Sequence, residues 1–195
     1  MKKNPKNDVN RRHFLKSSGK VAAASAVLSQ LPIERVAHAA VGDTVSVALV
    51  GCGGRGTGAV NQIMNTKGNT RLVAVADMDP EKGKRSIANL KRQHGDKVDV
   101  VEDKIFGGLS GFKSAIDAGA DLVVIATPPG FKPQRFEYAV KAGKHIFCEK
   151  PVASDAPGVR RFLAANEIAK KKNLMVGIGL QRRHEERYID NIKRL

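Results

Sequence analysis

The chain has 195 residues, 42% of them hydrophobic, no tryptophan and a formal net charge of +15. That length can bury one good core and begin a second. Residues 1–39 hold eight Lys/Arg against two Asp/Glu, which leaves +9 on the remainder. The remaining lysines and arginines are spread along helical segments, only 5% of residues are aromatic and no stacking motif is visible, so a nucleic-acid partner is not expected.

The first 39 residues read as a targeting segment. Asn10-Arg11-Arg12-His13-Phe14-Leu15-Lys16 lies in a basic leader, an apolar stretch runs from Val21 to Leu28, and Ala37-His38-Ala39 forms a small-x-small cleavage site. The arrangement resembles a twin-arginine export signal, with Asn10 where Ser or Thr is commoner. It predicts cleavage after Ala39, the twin-arginine export machinery as a partner, and a periplasmic or other extracytoplasmic location. The apolar stretch is too short and too rich in alanine for a permanent membrane anchor.

From Val41 onward, strand and helix alternate, the pattern of a doubly wound parallel sheet covered on both faces, an α/β Rossmann fold. An apolar strand over 44–50 runs into Gly51-Cys52-Gly53-Gly54-Arg55-Gly56, and a helix follows to about Asn65. In G-x-G-x-x-G, Gly51 serves the tight turn, Gly53 the close approach of a pyrophosphate, and Gly56 the packing of helix on sheet. The anion then sits at the helix N-terminus, among free N–H groups. A second strand, Arg71 to Asp77, ends in a carboxylate about 20 residues past the glycines, where a ribose hydroxyl needs an acceptor. Asp77 therefore favours NAD over NADP, while Arg85, further along, leaves NADP open. Asp79 and Pro80 are read as N-cap and first residue of a helix to about Gln93.

A weaker strand is expected around 98–101 or 104–106, then a short helix from Ser110 to about Ala118. Asp121 to Ala126 is a continuous apolar run, as in a central strand buried on both faces, and Thr127-Pro128-Pro129-Gly130 ends it. A helix is predicted from Pro133 to about Ala142, a strand over 144–148, and a long helix over 155–172. Lys170-Lys171-Lys172 suits its C-terminal end. The domain reading is a signal over 1–39, a dinucleotide-binding domain over 42–172, and the start of a second, α+β substrate domain over 173–195, opened by a strand over 174–180. The remainder of that domain is expected to lie beyond the chain.

Ligands of open parallel sheets bind past the carboxyl ends of the strands. Four segments reach that edge: Gly51 to Gly56 for the pyrophosphate, Asp77 to Asp79 for the adenosine ribose, Thr127 and Pro128 for the adenine–ribose side, and Glu149-Lys150-Pro151 for the nicotinamide end. A lysine at such a strand end can polarise a substrate hydroxyl as hydride leaves; otherwise Lys150 is a surface lysine paired with Glu149. Cys52 and Cys148 also sit at strand ends. A disulfide there would lock the crevice, but they read better as two small buried thiols. No metal site is predicted.

Taken together, Val47 to Gly56, Ala126-Thr127-Pro128-Pro129, Ala142-Gly143-Lys144-His145 and Glu149-Lys150-Pro151 resemble the Gfo/Idh/MocA oxidoreductase family. Gly179 to Tyr188 is similar to the family's arginine-pair segment, with His184, Glu185 and Glu186 in place of the usual aromatic–Asp–Pro. The resemblance implies that Lys150 is catalytic, that Glu149 shapes the cofactor pocket, and that Arg182 and Arg183 approach cofactor or substrate. It places the family's proton-transferring Asp and His beyond Leu195. His184 itself reads as a surface histidine. The expected activity is NAD(P)-dependent hydride transfer on a sugar, polyol or related hydroxy compound by a homo-oligomer. Export calls for a tightly held cofactor, which also suits a redox-neutral glycosidase of this fold; a non-catalytic nucleotide-binding protein is the third reading.

Overall fold

The computed structural model describes residues 44–195; the predicted leader lies outside them. Strands β1 (Val45–Val50), β2 (Thr70–Ala76), β3 (Ile105–Phe106), β4 (Leu122–Ile125), β5 (His145–Cys148) and β6 (Val176–Ile178) form one sheet in the order β3-β2-β1-β4-β5-β6. Every pairing is parallel. The helices are α1 (Gly54–Met64), α2 (Pro80–His94), α3 (Gly111–Asp117), α4 (Lys132–Lys141), α5 (Ala156–Lys171) and α6 (Glu186–Lys193). Because the chain moves outward from β1 through β2 to β3 and then returns to β4 on the other side of β1, the switch point lies between the carboxyl ends of β1 and β4.

The period-2 geometry of a strand sorts the apolar runs between two cores. Val47, Leu49 and Val124 point to one face with Val60, Met64, Leu72 and Leu90. Val50, Val123 and Ile125 point to the other, against Phe136, Ile146 and Phe162. There the Phe136 and Phe162 rings stack at 3.8 Å, joining α4 to α5. Each fully buried side chain of this size contributes ~1.5–3 kcal/mol. Among the described residues no helix is long and apolar enough to cross a membrane.

The helix ends follow the sequence signals. The Asp79 carboxylate accepts from the Glu81 N–H at 3.0 Å at the start of α2, with Pro80 in its first turn. Asp155 does the same for Gly158 at 2.6 Å at the start of α5. The lysine run at the end of α5 does more than meet a dipole: Lys172 Nζ donates to the Val140 and Lys141 carbonyls at the end of α4.

One open alternative is resolved and one expectation needs correction. Of the two weak-strand alternatives, Ile105–Phe106 is the strand, while Val98 forms only an isolated bridge to Leu72. The strand expected to open a second domain at 174–180 instead pairs with β5, Ile146 with Val176 and Cys148 with Ile178. The sheet therefore extends past residue 173, and only the turn at Gln181–His184 and α6 lie beyond its last strand. A parallel edge strand gains its hydrogen bonds from a distant neighbour, which local periodicity cannot register.

Candidate functional site

The glycine turn is built as its spacing demands. Gly51 has φ +101°, and a Cβ there would lie 2.8 Å from the Ala126 carbonyl carbon, so only glycine fits where β1 passes β4. A Cβ on Gly56 would lie 2.0 Å from the Gly51 carbonyl oxygen and 3.1 Å from Leu49, so α1 rests directly on the turn. Gly53 and Gly54 differ: a Cβ on either would meet nothing within 4 Å. Both sit at the start of α1, where first-turn N–H groups lack intrahelical partners. This open approach fits a pyrophosphate.

Asp77 closes the turn from the side. One carboxylate oxygen accepts from the Cys52 N–H at 2.8 Å, the other from the Asp79 N–H at 3.2 Å. The acid thereby pins the glycine turn to the end of β2, and each oxygen keeps a lone pair for a ribose hydroxyl. Arg85 stands 3.6 Å from Asp79, in a groove between α1 and α2 that begins at Cys52 and Gly53. Cys52 and Cys148 are both buried free thiols. Burial, with Asp77 adding its charge, pushes the Cys52 thiol up to about 12, and burial does the same for Cys148. Both stay protonated and act as apolar packing.

At the other end of the crevice, Glu149 is buried and Lys150 exposed. Glu149 does not pair with its neighbour. Its carboxylate lies 2.6 Å from Arg55 Nη2, an ion pair whose angles fall outside hydrogen-bond geometry, and it occupies the space a Cβ on Gly179 would need. Glu149 thus couples the glycine turn to β6. Lys150 faces a cleft of about 390 Å³ shared with Leu180, Gln181, Arg182 and Arg183. The structure therefore brings Lys150 and the arginine pair together. Arg182 also stands over the Tyr188 ring at 5.3 Å, and His184 is exposed, as expected.

Two buried cations beside the site were not legible in the sequence. Lys132, the first residue of α4, is 2% exposed, and its Nζ donates to the main-chain carbonyls of Glu149, Lys150 and Pro151 at 2.6, 3.1 and 3.0 Å. Three donors meet three acceptors, which holds the segment bearing Lys150; burial lowers the pKa of Lys132. Arg135 lies one turn on, also buried, beside Thr127 at the carboxyl end of β4. Phe131 four residues before Arg135 is the one sequence signal, since i and i+4 side chains share a helix face.

The sequence pattern of the Gfo/Idh/MocA oxidoreductases, with an NAD-binding Rossmann fold, matches residues 45–180. The chain belongs to this family. Among Gfo/Idh/MocA proteins it is 33% identical over 150 residues to inositol 2-dehydrogenase 1 of Saccharopolyspora erythraea, covering 75% of this chain and 40% of that protein. It is 32% identical over 137 residues to inositol 2-dehydrogenase of Ralstonia nicotianae, covering 69% and 36%. Among solved structures it resembles scyllo-inositol dehydrogenase from Lactobacillus casei with bound NAD(H) and scyllo-inositol, at TM-score 0.57 and 25% identity over 76% of this chain and 40% of that one. The chain thus spans about two fifths of the length of these relatives. The matched stretch includes the glycine turn, Asp77, Thr127, Glu149 and Lys150.

Proposed function

We propose that the protein is an NAD-dependent dehydrogenase of a polyol of the inositol or sugar type. The observation that carries this reading is the placement of Lys150: exposed at the end of β5, fixed through its main chain by Lys132, and facing the cleft of Arg182 and Arg183 beyond the glycine turn. When bound, NAD supplies a nicotinamide ring able to take hydride from an alcohol carbon. The chain's own part is to hold the pyrophosphate on Gly53 and Gly54, to keep Arg55 and Glu149 as one buried-to-surface unit, and to present the Lys150 ammonium to a substrate hydroxyl. An ammonium there donates to the hydroxyl oxygen and stabilises the charge that develops as its proton passes to a separate general base. Arg182 and Arg183 offer further donors to the neighbouring hydroxyls of a polyol.

Lys150→Met in the intact protein keeps the stem and removes the charge. NAD affinity is expected to hold while turnover on a panel of inositols and sugars, followed by the reduced-nicotinamide absorbance, falls about 10²-fold or more, the scale of a lost acid–base group. Near-normal turnover would return Lys150 to the role of a surface lysine.

We propose in addition that the protein is exported in folded form. Arg11-Arg12, the apolar stretch and Ala37-His38-Ala39 support this. Changing Arg11 and Arg12 together to Lys is expected to leave the precursor in the cytoplasm. Undiminished export, or a mature N-terminus far from Ala40, would contradict it. Export with loaded cofactor requires tight retention, because no nicotinamide pool is expected outside the cytoplasm.

A further inference from the structure

Beyond the glycine turn and Asp77, the carboxyl ends of β1, β2 and β4 surround a cavity of about 360 Å³. Two of its polar side chains are buried and lack any partner in the protein: the Thr127 hydroxyl and, on Arg135, both Nε and Nη1. Arg135 is only 8% exposed. Its guanidinium carbon lies 5.3 Å from the Phe112 ring centroid and 4.8 Å from that of Phe131. Two aromatic faces offset part of the cost of burying the charge. They cannot satisfy the N–H groups, which radiate in the guanidinium plane. A buried donor without an acceptor is costly to a fold, and two such groups lining one cavity indicate a missing acceptor.

The walls define that acceptor's body. Met78, Leu109 and Phe131 are 57%, 58% and 43% exposed and line the same cavity, an apolar surface wide enough for a flat ring. Asp77 and Lys82 line it as well, so charge alone does not choose between an anion and a neutral group, and the apolar walls favour a ring. A planar, uncharged group carrying hydrogen-bond acceptors on its edge fits both walls and floor. We infer that Arg135 is a binding residue for the purine ring of the dinucleotide, donating to an acceptor on the ring edge with Thr127 beside it. This rests on the reading that a dinucleotide crosses the crevice from Asp77 to Lys150.

The test is calorimetric titration of the intact protein and of Arg135→Met and Arg135→Lys with NAD, ADP-ribose, ADP and UDP. Arg135→Met is expected to weaken NAD and ADP-ribose about 10- to 100-fold, as loss of a charge-assisted hydrogen bond requires. Wild type is expected to prefer ADP over UDP, and Arg135→Met to lose most of that preference. Without ligand, the melting temperature of Arg135→Met is expected to equal or exceed that of wild type, because an unpaired buried charge gives way to an apolar chain of similar length. Arg135→Lys, which keeps the charge but not the planar fork, is expected to bind weakly too, so the test survives a poorly folded methionine variant. Unchanged NAD affinity in both variants would overturn the inference, as would equal weakening of ADP and UDP, which would assign the guanidinium to the diphosphate. Failure of wild type to bind NAD or ADP-ribose would instead overturn the dinucleotide reading itself.

Discussion

Gly53→Val is expected to leave the protein folded and to abolish NAD binding, whereas Gly56→Ala, a smaller change three residues on, is expected to break the fold. Gly53 has φ −70° and ψ 177°, an extended backbone that valine adopts readily, and nothing lies within 4 Å of a Cβ there. The added side chain fills only the approach to the α1 N-terminus. Losing even two charge-assisted bonds from main-chain N–H groups to a pyrophosphate, at about 1.5–3 kcal/mol each, lowers affinity by about 10²- to 10⁴-fold. Gly56 is the reverse case. Its Cβ would stand 2.0 Å from the Gly51 oxygen, a main-chain atom that cannot swing aside. The cost exceeds the ~1–3 kcal/mol of ordinary overpacking. Thermal melting and calorimetric titration of the two variants separate these outcomes. Parallel loss of both properties in Gly53→Val would mean that its bareness serves the fold rather than a ligand.

Lys132→Met is expected to produce the largest loss of stability among side chains outside the apolar cores. Its ammonium is the common donor for the carbonyls of Glu149, Lys150 and Pro151. Methionine fills nearly the same volume and offers no donor, so three carbonyls lose their partner at about 1–3 kcal/mol for each one that stays buried. A loss of about 3 kcal/mol or more is a large share of the ~5–15 kcal/mol that holds a domain. Because the bonds go to the main chain of the segment bearing Lys150, amide hydrogen exchange at Glu149, Lys150 and Val152 is expected to accelerate beyond the change at β1. Denaturant unfolding and exchange, measured together, check both parts. A variant of wild-type stability would show that water replaces the ammonium without penalty.

Most of the architecture is legible in the chain because the cues are local. Val47 to Val50 and Leu122 to Ile125 are apolar on both faces, Asp79 and Asp155 cap the helices they precede, and the glycine spacing locates the switch point. What was not legible depends on contacts between distant segments. β6 has only three residues, with Gly177 exposed, and its membership of the sheet comes from pairing with β5. Glu149 has a lysine next to it in sequence, yet its ion pair is with Arg55, because the turn after β1 and the end of β5 meet at the same edge. Lys132 and Arg135 resemble the other basic residues of a positively charged chain. Apart from Phe131 four positions before Arg135, only burial distinguishes them, and composition carries no record of burial.

On the proposed reading a dinucleotide lies across the carboxyl edge of this sheet, from the cavity of Asp77 and Arg135, over Gly53, toward Lys150. An amide-resolved NMR titration of residues 44–195 with NAD tests it directly, because shift perturbations locate even a weak ligand. The largest shifts are expected at Cys52, Gly53, Gly54, Asp77 and Thr127, joined by the Arg135 side chain, with the outer ends of α2 and α5 unmoved. Shifts confined to the groove between α1 and α2, or none at saturating NAD, would contradict it.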